Sequence, residues 1–298
     1  MTRYAVRHET RYAYGMTVDL GLHLLRLTPL ATAGQRLLDY RLAIAPEPSR
    51  NVAFRDHFGN VVHHIAIESR HGAFSVTLDA EVDVARGDPA AQSDGEGWEL
   101  VSRSIRADGF PQRPEVAEFA YDSPQAAAES TSTEYAAQSF PPGHGIVAAL
   151  RDLTSRIRRD FAYVPGATDI STPVAQVMET RRGVCQDFAH LMIAGLRGLG
   201  LPARYASGYI RTYPPAGAAG LRGADASHAW VSAWCGETAG WVDFDPTNDL
   251  VVGDEHIVVA YGRDFSDVTP LRGVILGGGT HGLDVAVTVT PLDEARTA

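Results

Sequence analysis

Cys185 follows Gly183-Val184 and opens a strongly apolar stretch. His228 stands 43 residues downstream, and two aspartates, Asp243 and Asp245, follow it in strand-like sequence. A thiol, an imidazole and a carboxylate in that order are the parts of a cysteine-nucleophile enzyme. The reactive species is the thiolate, and a free thiol with an ordinary pKa of ~8.5 is only slightly ionised at neutral pH. A helix N-terminus offers partial positive charge and free backbone N–H groups, and an imidazole accepts the proton, so both are expected beside Cys185.

The elements that must position these groups are legible. Val184, Phe188, Leu191, Met192, Leu196 and Leu199 recur at the spacing of a buried helical face, with Gly200 as cap and Pro202 preventing continuation. Ser227 to Cys235 is rich in aromatic and β-branched residues and reads as a strand. In it His228, Trp230, Ser232 and Trp234 share one face, and Cys235 points away with Ala229, Val231 and Ala233. Gly236 to Gly240 make a turn, and Trp241 to Asp245 return as a second strand before Pro246. Asp243 and Asp245 lie on the same face. Either carboxylate fits the orienting role, and alternation does not choose between them.

Three segments resemble the transglutaminase-like superfamily of papain-related cysteine enzymes. They are Arg182-Gly183-Val184-Cys185-Gln186-Asp187-Phe188-Ala189-His190, then Pro202-Ala203-Arg204-Tyr205-Ala206-Ser207-Gly208-Tyr209, and His228-Ala229-Trp230 through Trp241 to Asp245-Pro246-Thr247. In that family the orienting acid precedes Pro-Thr, so the resemblance selects Asp245, 17 residues after His228. Residues 4 to 84 are similar to the β-rich N-terminal domain of many bacterial transglutaminase-like proteins, through Tyr4 to Thr10, Leu25-Arg26-Leu27-Thr28-Pro29 and Asp56-His57-Phe58-Gly59-Asn60. The implied fold is α+β: a papain-like core, with a Cys-bearing helix packed on an antiparallel sheet bearing His and Asp, preceded by a β-rich domain.

The resemblance implies an acyl-enzyme mechanism on peptide or protein amides, with Cys185 as nucleophile, His228 as acid/base and Asp245 as orienter. The backbone N–H of Cys185 is expected to hold the oxyanion, with Gln186 or Tyr163 as candidate second donors. Ser207, Gly208 and Tyr209 are expected to line the cleft, with Trp230 and Asp243 beside the pair. Attack on the thioester by an amine gives transglutamination, and attack by water gives deamidation or proteolysis. The triad is the same in each case, so a cysteine protease or amidase is the alternative. A peptide-binding module without catalysis is a second one, against which the intact Cys185, His228 and Asp245 count.

Composition fits such an enzyme. The chain has 298 residues, 45% of them hydrophobic, enough to bury a full core in two packed units. A net charge of −10 without a basic run argues against nucleic acid. No run reaches the ~20 apolar residues of a membrane helix. Met1-Thr2-Arg3-Tyr4 leads directly into strand-like sequence without a signal-peptide pattern, so a cytoplasmic address is expected. With two cysteines, one of them read as a free thiol, no disulfide framework is expected. All 26 basic side chains are arginine, so a glutamine–lysine cross-linker of this sequence would lack the acceptor lysine itself; arginine-biased composition accounts for this more simply.

The organisation expected along the chain is a β-rich domain over 1–86, a linker with short helices over 87–143 and a catalytic domain over 144–298. Tyr40 to Ile44, Val61 to Ile67 and Ala73 to Val84 are strand candidates, the last with Phe74, Val76 and Leu78 on one face. The composition from Gly87 to about Gly109 suggests a loose connection. Ser123-Pro124 reads as the capped start of a short helix, and Ile146, Leu150, Leu153 and Ile157 place a helix over Gly145 to Asp160 beside the Cys185 helix. Further strands are expected over Ile257 to Gly262 and Asp284 to Thr290, the latter packing back on the N-terminal domain. Gly277-Gly278-Gly279 reads as a flexible connection.

Other polar residues have plainer readings. His190 lies about 140° around the helix from Cys185, a structural position. Asp187 is expected to bind backbone or Arg204, and Cys235 to be a packed small residue. His8 and His63-His64 lack zinc spacing. Asp249, Asp254 and Glu255 lack the calcium-loop pattern. No metal or cofactor is expected.

Overall fold

The structure, a computed structural model, describes residues 1–87, 93–106, 113–213 and 227–292. The chain opens with five strands: β1 (Thr2–Leu25), β2 (Gln35–Ala45), β3 (Arg50–Arg55), β4 (Val61–Ile67) and β5 (His71–Val84). Among the described residues four α-helices follow: α1 (Trp98–Arg106), α2 (Pro114–Ala117), α3 (Ser130–Ala137) and α4 (Ile146–Asp160), with a 3-10 turn over Glu118–Ala120. Next come β6 (Ala162–Tyr163), α5 (Val174–Thr180), β7 (Arg182–Gly183) and α6 (Cys185–Gly198). The remainder is β8 (Ala203–Ile210), β9 (His228–Trp234), α7 (Gly236–Ala239), β10 (Trp241–Asp245), β11 (Leu250–Val251), β12 (His256–Gly262), α8 (Phe265–Val268), β13 (Leu271–Gly277) and β14 (His281–Pro291).

Among the described residues two large sheets carry the molecule, beside a short parallel pair of β6 and β7. The first runs β2-β5-β1-β4-β3, and β13 and β14 also pair with β1. The long β1 serves both halves of that sheet: its first part lies between β5 and β14, and its second between β4 and β13. On β5, Phe74, Val76, Leu78, Ala80 and Val82 are buried on one face, as their alternation requires. The second sheet is antiparallel, in the order β11-β10-β9-β8-β12. The helix α6 packs on β8 and β9 and is covered by α3, α5 and, less extensively, α4. This explains why α6 is apolar almost all round: Phe188, Ala189, Leu191, Met192, Ile193, Ala194 and Leu196 are all buried. Among the described residues no helix is long and apolar enough to cross a membrane.

The edge strand β12 joins the two sheets. An edge strand leaves a row of backbone donors and acceptors that must find partners. The Gln35 side chain donates to the Val258 carbonyl at 2.8 Å and accepts from the Val258 N–H at 2.8 Å. The Asn60 side chain does the same with Tyr261, donating at 2.7 Å and accepting at 2.8 Å. Each primary amide thus stands in for one rung of a strand. Asp56 shapes the loop that presents Asn60 by accepting from the Phe58 and Asn60 backbone N–H groups.

Several expectations change. Ser123-Pro124 starts no helix, because the Ser123 hydroxyl accepts instead from the buried Arg197 guanidinium at 2.7 Å. Arg197 also donates to the carbonyls of Phe119, Ala126, Ala203 and Arg263, and so pins the 119–126 segment to α6. The helix begins later, at Ser130. The stretch expected as a loose connection contains α1, while its residues 88–92 and 107–109 lie outside the described residues. Gly277-Gly278-Gly279 is tied down: the Met16 N–H donates to the Gly278 carbonyl, and the Gly278 N–H to the Thr17 carbonyl.

Removing the Asn60 amide strands a buried N–H and a buried C=O on β12, each costing roughly 1–3 kcal/mol. We therefore expect Asn60→Ala to lower unfolding free energy by about 2 kcal/mol or more. His57→Ala, at an exposed neighbour, is expected to stay within about 0.5 kcal/mol of wild type. Urea unfolding of the two variants checks this.

Candidate active site

Cys185 is the first residue of α6 and is half-buried, so its backbone N–H belongs to the first turn, where no intrahelical acceptor exists. The start of that helix is fixed by Asp187, whose carboxylate accepts from the Val184 N–H at 2.7 Å and from the Thr168 hydroxyl at 2.6 Å. Gly183 permits the arrangement, since a Cβ there would come within 2.8 Å of Asp187. Asp187 therefore binds backbone, as one expectation held, but not Arg204. Burial pushes its carboxyl above the usual value, the two hydrogen bonds opposing.

His228 opens β9 and is 1% exposed. Its Nε2 lies 2.9 Å from Asp245 Oδ2 at the end of β10. Its Nδ1 makes no hydrogen bond among the described residues, and the Cys185 thiol is close enough to act electrostatically on the ring. Asp245 is 0% exposed and accepts five hydrogen bonds. Oδ1 takes the backbone N–H groups of Thr247 and Asn248 at 2.9 and 3.2 Å. Oδ2 takes His228, the Asn248 side-chain amide at 2.7 Å and His256 Nε2 at 3.1 Å. The turn after Asp245 thus folds back on its own carboxylate.

Electrostatics divide the two imidazoles. Burial disfavours a charged His228, but the Asp245 carboxylate, seconded by the Cys185 sulfur, outweighs it and raises the ring to about 10. His256 is equally buried; there desolvation, together with His228 and Arg86, outweighs Asp245, so its pKa falls and it stays neutral. A neutral His256 that donates from Nε2 has a bare Nδ1. Asp245 opposes its own desolvation through the two imidazoles and is held far below the usual carboxylate range.

Trp230 forms the wall behind the pair. Its ring lies 6.2 Å from His228 and, edge-on, 5.2 Å from His256, and its Nε1 donates to Asp243 at 3.1 Å. Asp243 therefore serves the indole and Arg86, leaving His228 to Asp245. Gly208 makes room for that indole, because a Cβ there would approach the Trp230 ring to 2.5 Å and the Ile257 carbonyl to 2.1 Å.

Residues 4–83 match the bacterial transglutaminase-like N-terminal region, and residues 129–246 match the transglutaminase-like superfamily. Uncharacterized protein Rv2569c of Mycobacterium tuberculosis is 41% identical over 98% of this chain and 93% of its own. The chain belongs to the transglutaminase-like superfamily. A Pseudomonas aeruginosa protein-glutamine gamma-glutamyltransferase is 36% identical over 113 residues, which are 37% of this chain and 16% of that protein. The crystal structure of a candidate cysteine protease from Cytophaga hutchinsonii superposes with a TM-score of 0.75 at 23% identity, covering 98% of this chain and 91% of that one. It shows the same fold, the papain-like core with its strand-rich N-terminal region.

Within this transglutaminase-like core, some expected cleft residues serve elsewhere. Tyr209 is buried, packs on His8, and donates its hydroxyl to the Leu27 carbonyl at 3.0 Å, so it anchors the first sheet. Gln186 donates its amide to the Ile170 carbonyl at 3.3 Å. Tyr163 pairs with Gly183 and packs on Phe188. Ser207 is a buried β8 residue, paired with Ala229 and Ala260. His190 accepts from the Phe265 N–H at 3.2 Å, a structural role, and Cys235 is buried.

Sequence reasoning missed His256 and Asn248. Both lie beyond residue 246, where the match to the superfamily ends. An Asn three residues after an aspartate in a turn was a usable signal; His256, reaching in from another strand, carried none. Among the described residues, His228, Asp245 and His256 are also the one trio whose potential metal-ligating atoms lie within 4.8 Å of one another. Both Nε2 atoms point at the same carboxylate oxygen, a geometry that two N–H protons satisfy without an ion.

Replacing Asp245 by Ala removes the acceptor from five donors, and a loss of about 3–5 kcal/mol in unfolding free energy is expected. A raised His228 pKa means that folding takes up a proton above the ordinary value of 6.5. Its contribution to stability is full below that pH and is lost as pH rises through about 10. Between those limits stability should fall by roughly 1.4 kcal/mol per pH unit. Denaturation curves at several pH values, with His228→Gln removing the slope, check this.

Proposed function

We propose that the protein is a cysteine acyltransferase of the transglutaminase type, acting on amide groups of peptides or proteins. The supporting observation is the placement of Cys185 at a helix N-terminus beside an imidazole that a buried carboxylate holds by its far nitrogen. In this reading the Cys185 thiolate attacks the amide carbon while the Cys185 backbone N–H takes the developing oxyanion. His228 gives its Nδ1 proton to the leaving nitrogen, and ammonia departs from a glutamine side chain as the thioester forms. An incoming primary amine then loses its proton to His228 and displaces the thiol, restoring the enzyme. Asp245 keeps the ring oriented and its positive form stabilised throughout.

The named function of the Pseudomonas relative supports an amine as acceptor, and its aligned stretch is confined to 113 residues. The His228 and Cys185 chemistry serves water equally well, so hydrolysis of the same thioester is the second reading, supported by the protease-like neighbour only at the level of fold. A cytoplasmic location belongs to the same proposal, since the mechanism needs Cys185 reduced and both cysteines are free.

The test is to incubate the protein and its Cys185→Ala variant with a glutamine-containing protein and a labelled primary amine, and to read the products by mass spectrometry. Amine incorporation with ammonia release is expected, with a loss of at least about 10³-fold in the variant. Cys185-dependent backbone cleavage without incorporation would move the assignment to a protease. Equal turnover by both proteins, or turnover by neither, would sink the catalytic account.

A further inference from the structure

A cavity lies at the seam of the two sheets. About 420 Å³ in volume, it is walled on one side by Thr32, Ala33, Gly34 and Arg86. Its other side is formed by Arg204 of β8, Trp241 to Asp243 of β10, Val251, Val252 and Tyr261. Neither Cys185 nor His228 lines it.

Its chemistry is set by two guanidinium groups. Arg204 is stacked between two rings, its Cζ 4.2 Å from the centre of Trp241 and 3.6 Å from that of Tyr261. Both faces of this guanidinium are covered, so it can recognise a partner only along its edge. Arg86 reaches Asp243 at 3.3 Å and the His256 carbonyl at 3.4 Å. These are long for charge-assisted bonds, which settle near 2.7–2.9 Å, and the Tyr261 hydroxyl is a further polar partner of both Arg86 and Arg204. The Nε of each arginine is buried and makes no hydrogen bond among the described residues. Buried guanidinium donors left unpaired are costly, so both side chains gain from an added acceptor at their remaining nitrogens.

The charge count narrows the acceptor. Among the described lining residues, two arginines stand against one carboxylate, Asp243, a surplus of one positive charge, with Asp254 nearby on the Arg86 backbone N–H. That balance suits a monoanion better than a phosphate dianion, and a planar carboxylate matches the edge of a clamped guanidinium. Trp241, Val251 and Val252 offer an apolar surface beside it. The volume is that of a small-molecule pocket. We propose that this seam binds a small carboxylic acid with an apolar body, its carboxylate bridging Arg86 and Arg204 and its body lying along Trp241 and the two valines. The site stands apart from the Cys185 chemistry and does not depend on the proposed reaction. It adjoins the reaction centre, however, because Asp243 also holds the Trp230 indole and Arg86 also holds the backbone of His256.

Benzoate is a suitable probe, with benzamide as its uncharged counterpart. Titrations at constant ionic strength, read by calorimetry and by tryptophan fluorescence, are expected to show saturable 1:1 binding of benzoate. Benzamide should bind at least about tenfold more weakly. Arg204→Gln should weaken benzoate by a similar factor. Asp243→Asn keeps the acceptor for Trp230 and removes a negative charge from the wall, so it should tighten benzoate several-fold. The opposite signs separate a real site from general damage: if Arg204→Gln fails to fold by circular dichroism, Arg86→Gln takes its place, and Asp243→Asn still decides. No saturable binding of benzoate at about 10 mM would overturn the proposal. So would equal binding of benzamide, or an affinity unchanged by Asp243→Asn.

Discussion

The site depends on one carboxylate kept charged where no water reaches it. Asp245 is fully buried, and isolated burial of an ionised carboxylate would be prohibitive. Five donors from three segments make it tolerable: the Thr247–Asn248 turn, His228 at the start of β9 and His256 at the start of β12. Because the charge is satisfied only when all three segments are in place, it enforces their arrangement. The two imidazoles share it unequally. His228 is kept protonated on the side facing Cys185, while His256 remains a neutral donor that steadies the same oxygen.

The first sheet takes part in this arrangement. β12 carries His256 and is an edge strand, so its position depends on what pairs with its outer side. Gln35 and Asn60 provide that pairing through side-chain amides, and Tyr209 anchors β8 to the Leu27 carbonyl. Strands from both ends of the chain, β13 and β14 included, close around β1 to build the sheet that presents those amides. The N-terminal region is therefore a structural part of the His228–Asp245–His256 assembly.

The parts of this arrangement legible in the sequence were those set by short-range pattern. The buried periodicity after Cys185 marked α6, and alternation marked β9 and β10. Alternation put Asp243 and Asp245 on one face but carried no information about which imidazole or indole each would meet; family resemblance singled out Asp245, and the bond from Trp230 accounts for Asp243. The role of Tyr209 was hidden because its partner is a backbone carbonyl 182 residues away. Ser123 misled because a buried arginine competed for the hydroxyl that a helix cap would have used. In both cases a long-range polar contact overrode a local preference, and such contacts leave no periodic trace.

The most direct measurement is the protonation state of the two imidazoles, by nitrogen-15 NMR of the histidine rings across pH. At pH 8 the account predicts His228 with both ring nitrogens protonated, titrating near pH 10, and His256 neutral with its proton on Nε2. A neutral His228 at pH 8, or two imidazoles titrating together near their ordinary value, would contradict it.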